Sequence, residues 1–214
     1  MKQYKEGRKI ILIILGLFAF QLLRIGAKTL MFLLIERTLV ADTIFNIIIM
    51  GAAVFPILVI TKRKGYDLSI MPKRFSVWYI VATVFVALLF TLTLVLFTEG
   101  TVYGVLFLIY GALVTPFFEE TVFRGVVWSA VRIKNNLSSY IASTLLFAVW
   151  HLGYIDTVIW RTSLFFPDAD IFKIVMMKVV TGFIIGMILG AVRYKTKNVY
   201  ASMLLHCLIN TVGG

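Results

Sequence analysis

Acidic side chains are scarce in this sequence: ten Asp and Glu among 214 residues, against 21 Lys and Arg. Charged residues of both signs make up 14%, well under the roughly 25% of soluble domains. There is one cysteine, Cys207. It excludes an intrachain disulfide and a thiolate metal cluster within one chain. Only four prolines occur, and no Ser-, Gly- or Pro-rich tract marks a linker. No stretch repeats another. One domain over 1–214 is the expectation.

What fills the space is apolar: 61% of the chain is hydrophobic, against about 45 to 50% in soluble domains. The excess runs the whole length, which predicts an all-α, polytopic transmembrane bundle rather than a soluble domain with one anchor. The start, "MKQYKEGRKIILIILGLFAF", has the basic and apolar regions of a signal peptide. No convincing small-residue cleavage site follows, so it reads as an uncleaved first span. A crossing helix needs about 20 apolar residues. The runs predict about seven spans: 9–34, 42–61, 77–98, 104–130, 138–160, 172–192 and 198–214.

The net charge of +11 does not argue for nucleic acid, because the basic residues gather at span ends, as membrane topology requires. Fourteen of the 21 fall in four segments: Lys2 to Lys9, Lys62 to Arg74, Arg132 with Lys134, and Arg193 to Lys197. Single crossings put these on one side, and Glu36, Asp42, Glu99, Asp156, Asp168 and Asp170 on the other. The N-terminus is therefore expected in the cytoplasm, of a bacterial plasma membrane given the compact chain. Two features stay open. Arg24 and Lys28 lie inside the first span and either snorkel outward or face a polar interior. The segment 153–172 reads as an external loop or an interfacial helix.

Few ionisable residues then remain at membrane depth. Glu119, Glu120 and Arg124 sit in "TPFFEETVFRG", His151 in "LLFAVWHLG", and His206 with Asn210 in "MLLHCLINTVGG". Each charge costs about 2.5 to 3.5 kcal/mol at a helix centre on insertion scales. Glu120 and Arg124, at i and i+4, share a face and can neutralise each other. Glu119 lies about 100° around the helix and is expected to face His151. A lone buried histidine is more often an interhelical hydrogen-bonder than a catalyst. The combination on three helices points further. A carboxylate beside a histidine deprotonates water, and a second histidine with an amide suits a developing oxyanion. The inventory fits amide hydrolysis without a serine or cysteine nucleophile.

Three motifs in order, "EETVFR" (Glu119, Glu120, Arg124), "FAVWH" (Phe147, His151) and "HCLIN" (His206, Asn210), resemble the CPBP family. This is the group of CAAX proteases and bacteriocin-processing enzymes also called Abi, which includes the type II CAAX prenyl endopeptidases. The likeness covers about 100 to 214. It implies a helical intramembrane endopeptidase in which Glu119 and His151 activate water and His206 with Asn210 stabilise the oxyanion. Glu120 and Arg124 support the site, and Phe147 packs beside it.

The resemblance favours a mechanism without cofactor. Glu119, His151 and His206 also supply the residue types of a His₂Glu zinc site, which is kept as the alternative. The expected partners are membrane lipid and a peptide or membrane-protein substrate, most plausibly a small peptide precursor. A non-catalytic bacteriocin-immunity or signalling-partner protein is the rival reading. A proton-coupled transporter is disfavoured, because neither an inverted repeat nor paired broken helices occur.

Overall fold

The computed structural model describes residues 2–131 and 135–213, with side chains from Ile10 onward in the first helix. Arg132, Lys134 and Gly214 lie outside the described residues, as do the side chains of Lys2, Lys5, Arg8 and Lys9. The described residues are mostly helical, joined by short connections. The elements are α1 (Lys2–Leu34), α2 (Leu39–Arg63), α3 (Val77–Phe97), α4 (Val102–Val131), α5 (Asn136–Phe165), α6 (Ile171–Thr196) and α7 (Val199–Gly213). The first six are long and apolar enough to cross a membrane. Helix α7, at 15 residues, is about 22 Å long and packs against α3, α4 and α6. The transmembrane bundle expected from the apolar runs is the fold observed.

Local chemistry sets the helix ends. Thr38, Thr101, Asn135 and Asp170 precede α2, α4, α5 and α6, and each side chain accepts a backbone N–H of the first turn. Such caps satisfy donors that the helix itself leaves open. Helix α6 ends at Lys197 in the left-handed conformation, φ 60°. The free N–H groups at the start of α7 are met from elsewhere: Val199 and Tyr200 donate to the Ser69 and Ile70 carbonyls of the 64–76 connection.

Helices α5 and α6 approach closely because α6 carries glycine every fourth residue. Gly182, Gly186 and Gly190 face His151, Phe147 with Thr144, and Tyr140. A methyl group at Gly190 would lie 2.8 Å from the Tyr140 ring. Small residues at this spacing let membrane helices pack backbone to side chain. Behind them, Phe20 of α1, Phe118 and Phe123 of α4, and Phe147 and Trp150 of α5 stack in one cluster. Helix α3 lies at the edge with Val86 as its one buried residue, and its Phe, Leu and Val side chains are exposed as a lipid-facing surface would be.

Two features that the sequence leaves open are resolved. The 153–172 segment is not a loop from its start: α5 continues through a tighter 3₁₀ turn, His151–Tyr154, into helix as far as Phe165. Its polar residues broke the apolar pattern, yet they turn inward and find partners. Asp156 pairs with Arg24 at 2.8 Å and Lys28 at 3.0 Å; Asp42 pairs with Lys28 at 3.2 Å and Arg37 at 2.7 Å. Arg24 also donates to the Gly153 carbonyl. Arg24 and Lys28 therefore face a polar interior, and Asp42 and Asp156 belong to a buried ion cluster tying α1 and α2 to α5. Arg193 is likewise buried, donating to the Arg124 carbonyl at 3.1 Å.

Candidate active site

Helix α4 carries the carboxylates and is irregular on both sides of them. Pro116 has no N–H to give and its ring crowds the preceding turn. The chain widens into a π-turn at Tyr110–Val114 immediately before it. A second wide turn, Thr121–Val127, surrounds Arg124. Between them Glu119 and Glu120 occupy regular helix, 1% and 0% exposed. Wide turns of this kind recur at functional sites because they re-aim side chains within an otherwise continuous helix.

The two carboxylates have different surroundings. Glu120 accepts from Arg124 Nη1 at 3.0 Å and from His206 Nδ1 at 3.2 Å through the same oxygen. Arg124 is completed by the Gly186 carbonyl at 3.1 Å and by the Phe147 ring face, 4.3 Å away. The glycine that lets α5 and α6 touch thus also presents its carbonyl to the arginine. Glu119 has no such cation. Its Oε1 accepts from Tyr154 Oη at 2.8 Å and Trp150 Nε1 at 3.1 Å. Its Oε2 lies 3.9 Å from His206 Nε2.

The histidines are oriented by their Nδ1 atoms. His151 Nδ1 meets the Phe147 carbonyl at 2.8 Å. A carbonyl only accepts, so Nδ1 carries the proton and a neutral ring keeps its Nε2 lone pair. Phe147 contacts both imidazoles edge to face, 4.9 Å from His151 and 5.8 Å from His206. Asn210 Nδ2 donates to the Gly111 carbonyl, exposed by the first wide turn, at 2.8 Å. An amide nitrogen has two hydrogens, so one remains.

Glu119, His151, His206 and Asn210 line one cavity of about 570 Å³, together with Phe147 and Tyr154. All four sequence-predicted catalytic residues are brought together. Glu120 and Arg124 sit behind the wall as an ion pair, and Phe147 separates them from the cavity. One detail differs from expectation: Glu119 makes no direct hydrogen bond to His151 and is turned toward Trp150, Tyr154 and His206. Trp150 and Tyr154 were not anticipated. An aromatic residue in an apolar helix carries no sequence signal of its own, although their i, i+4 spacing puts them on one face. Glu119, His151 and His206 share a cavity, yet among the described residues no group of three or more His, Cys, Asp or Glu is placed to hold a metal ion.

Known proteins sharpen the reading. The family described as Type II CAAX prenyl endopeptidase Rce1-like matches residues 100–212. The chain belongs to this family. No curated protein and no solved structure matches it. The matched region runs from the start of α4 to the end of α7 and contains every residue of the cavity named above. Membership in this Rce1-like family, with the apolar helices, supports an integral membrane endopeptidase of the CAAX-protease type.

Proposed function

We propose that the cavity hydrolyses a peptide bond of a small membrane-associated peptide or membrane-protein segment by a glutamate- and histidine-activated water. The observation that carries this is the convergence of Glu119, His151, His206 and Asn210 on one cavity. Water held between the Glu119 carboxylate and His151 Nε2 gives up a proton as its oxygen adds to the substrate carbonyl carbon. The oxyanion formed accepts from the remaining Asn210 N–H and from His206 Nε2 when that atom carries a proton. Collapse breaks the C–N bond, and the proton passes to the leaving amine. One water is consumed, and a carboxylate and an amine are released.

The surroundings support these roles. Trp150 and Tyr154 fix one oxygen of Glu119 and leave the other toward the cavity. Glu120 fixes His206 while Arg124 balances its charge. The family's printed description names a CAAX prenyl endopeptidase, a class that acts on peptide bonds of membrane-associated substrates. The experiment is to incubate purified protein, in lipid nanodiscs, with a peptide library and identify products by mass spectrometry. Wild type generates defined cleavages and Glu119→Gln generates none. A Glu119→Gln protein that cleaves at the normal rate would sink the assignment.

A further inference from the structure

A second crevice lies away from the reacting residues and shares none of them. It opens between α1, α2 and α4 and holds about 440 Å³. Leu12 of α1, Ile57 and Ile60 of α2 and Val126 of α4 form its walls. Thr61 adds no free polarity, because its hydroxyl donates to the Ile57 carbonyl at 2.7 Å. Lys64 stands at the mouth, exposed, where α2 gives way to the 64–76 connection. Ile57 is seven residues back, about 10 Å along the helix axis. The crevice therefore runs from the basic end of the span into the hydrocarbon depth. The fold does not use the Lys64 ammonium. The N–H groups of Lys64, Gly65 and Tyr66 meet the last carbonyls of α2, so no side chain is required to cap that end. Among the described residues no ion pair engages Lys62, Arg63 or Lys64. The acidic residue of this connection, Asp67, turns its carboxylate to the Ser69 N–H at 2.8 Å.

We propose that this crevice holds one acyl chain of an anionic phospholipid, with the headgroup phosphate on Lys64. A lipid tail is already in hydrocarbon, so entering an apolar crevice gains close packing rather than release from water. The headgroup is then what distinguishes one lipid from another. A lysine at the end of a span reaches the headgroup level, where it favours net negative charge over a zwitterion. A groove between α3 and α7 gives the contrast. Its walls are also apolar, among them Trp78, Phe85 and Leu204, yet no Asp, Glu, Lys or Arg stands in them. That groove has no means of choosing between headgroups, and the Lys64 crevice has one. The occupant also touches the working part of α4. Val126 belongs to the wide turn Thr121–Val127 around Arg124, so a seated chain braces that turn from its outer side. Because the site exists only in the folded bundle, occupancy raises stability.

The test uses full-length protein in nanodiscs of equal parts phosphatidylglycerol and phosphatidylcholine. Native mass spectrometry after release counts the lipid that stays bound, and thermal unfolding in detergent with each lipid added measures stabilisation. Wild type is expected to retain one lipid, with phosphatidylglycerol favoured about fivefold, the scale of one lysine at an anionic membrane surface. Lys64→Gln brings that ratio to near one, whereas Lys62→Gln, two residues away and outside the crevice wall, leaves it as in wild type. Ile60→Trp fills the crevice from a half-exposed position and abolishes retention of both lipids. Phosphatidylglycerol raises the melting temperature of wild type and not of Ile60→Trp. No retained lipid in wild type overturns the site. Equal losses of preference in Lys64→Gln and Lys62→Gln reduce it to general attraction by the basic face and overturn it as well. Equal retention of the two lipids by wild type overturns the role of Lys64. If soluble glycerol 3-phosphate stabilises wild type as much as phosphatidylglycerol does, the ligand is a free phosphate and the lipid assignment falls.

Discussion

Gly182 and His151 are in a contact that no larger residue allows: a methyl group on Gly182 would stand 2.7 Å from His151 Nδ1. The imidazole is pinned between its own helix, through the Phe147 carbonyl, and a bare stretch of α6. Gly182→Ala should displace the ring and lower kcat/KM by about 100-fold, the usual cost of an ångström-scale misplacement. Gly26→Ala in α1, where a methyl group meets nothing within 4 Å, is the matched control. It should leave cleavage unchanged and raise stability by about 0.5 to 1 kcal/mol. Equal losses in both variants would refute the positioning role.

Glu119 and Arg124 should separate cleanly by what they damage. Glu119→Gln keeps an oxygen to accept from Trp150 and Tyr154, so thermal unfolding in detergent should scarcely change while cleavage disappears. Arg124→Ala removes the cation beside buried Glu120 and one of the two side-chain donors to the Gly186 carbonyl, the other being Thr144, 3.3 Å away. Breaking a buried pair in this way costs about 3 to 5 kcal/mol, and the melting temperature should fall accordingly.

Tyr154→Phe removes one of the two donors that hold Glu119, and with it the hydroxyl that accepts from Trp150 Nε1 at 3.1 Å. The expected result is a drop in kcat of about tenfold, the scale of a lost hydrogen bond to a charged group, with KM and melting temperature little changed. A normal kcat would show that Trp150 alone orients the carboxylate.

The cluster around Asp156 predicts a rescue. Asp156→Asn leaves Arg24 and Lys28 competing for Asp42 and should destabilise the protein by about 3 to 5 kcal/mol. Adding Lys28→Met removes the surplus cation and should recover part of that loss, because residues in one network are not additive. Chemical unfolding of the four proteins of the cycle measures the coupling.

Cleavage by the purified protein should survive dialysis against a strong chelator at the full rate. A loss reversed by zinc would replace the metal-free chemistry proposed for Glu119, His151 and His206 with the zinc alternative.

The sequence made the spans legible because apolar runs in a membrane protein are long and their ends are basic. It made the candidate reacting groups legible because ionisable residues are rare there, so Glu119, His151 and His206 stood out. It hid whatever depends on pairing across helices. Asp156 and Arg161 looked like loop residues because their partners, Arg24, Lys28 and Asp42, are more than a hundred positions away. Trp150 and Tyr154 were silent for the opposite reason: they resemble the apolar helix around them. The Gly182, Gly186 and Gly190 spacing was present in the letters, and reading it as a packing stripe would have placed α6 against His151.

The wide turn before Pro116 has a further consequence. A π-turn holds about one residue more than the α-turn it replaces, and each residue is worth about 100° of rotation. The two halves of α4 are therefore out of phase, so a helical wheel drawn through the whole span misassigns one of them. Deleting one residue within Tyr110–Val114 would bring Val102–Ile109 into phase with Thr115–Glu120. It would swing Tyr103 and Phe107 off the cavity wall they now share with Glu119, leaving the first part of α4 facing the wrong way.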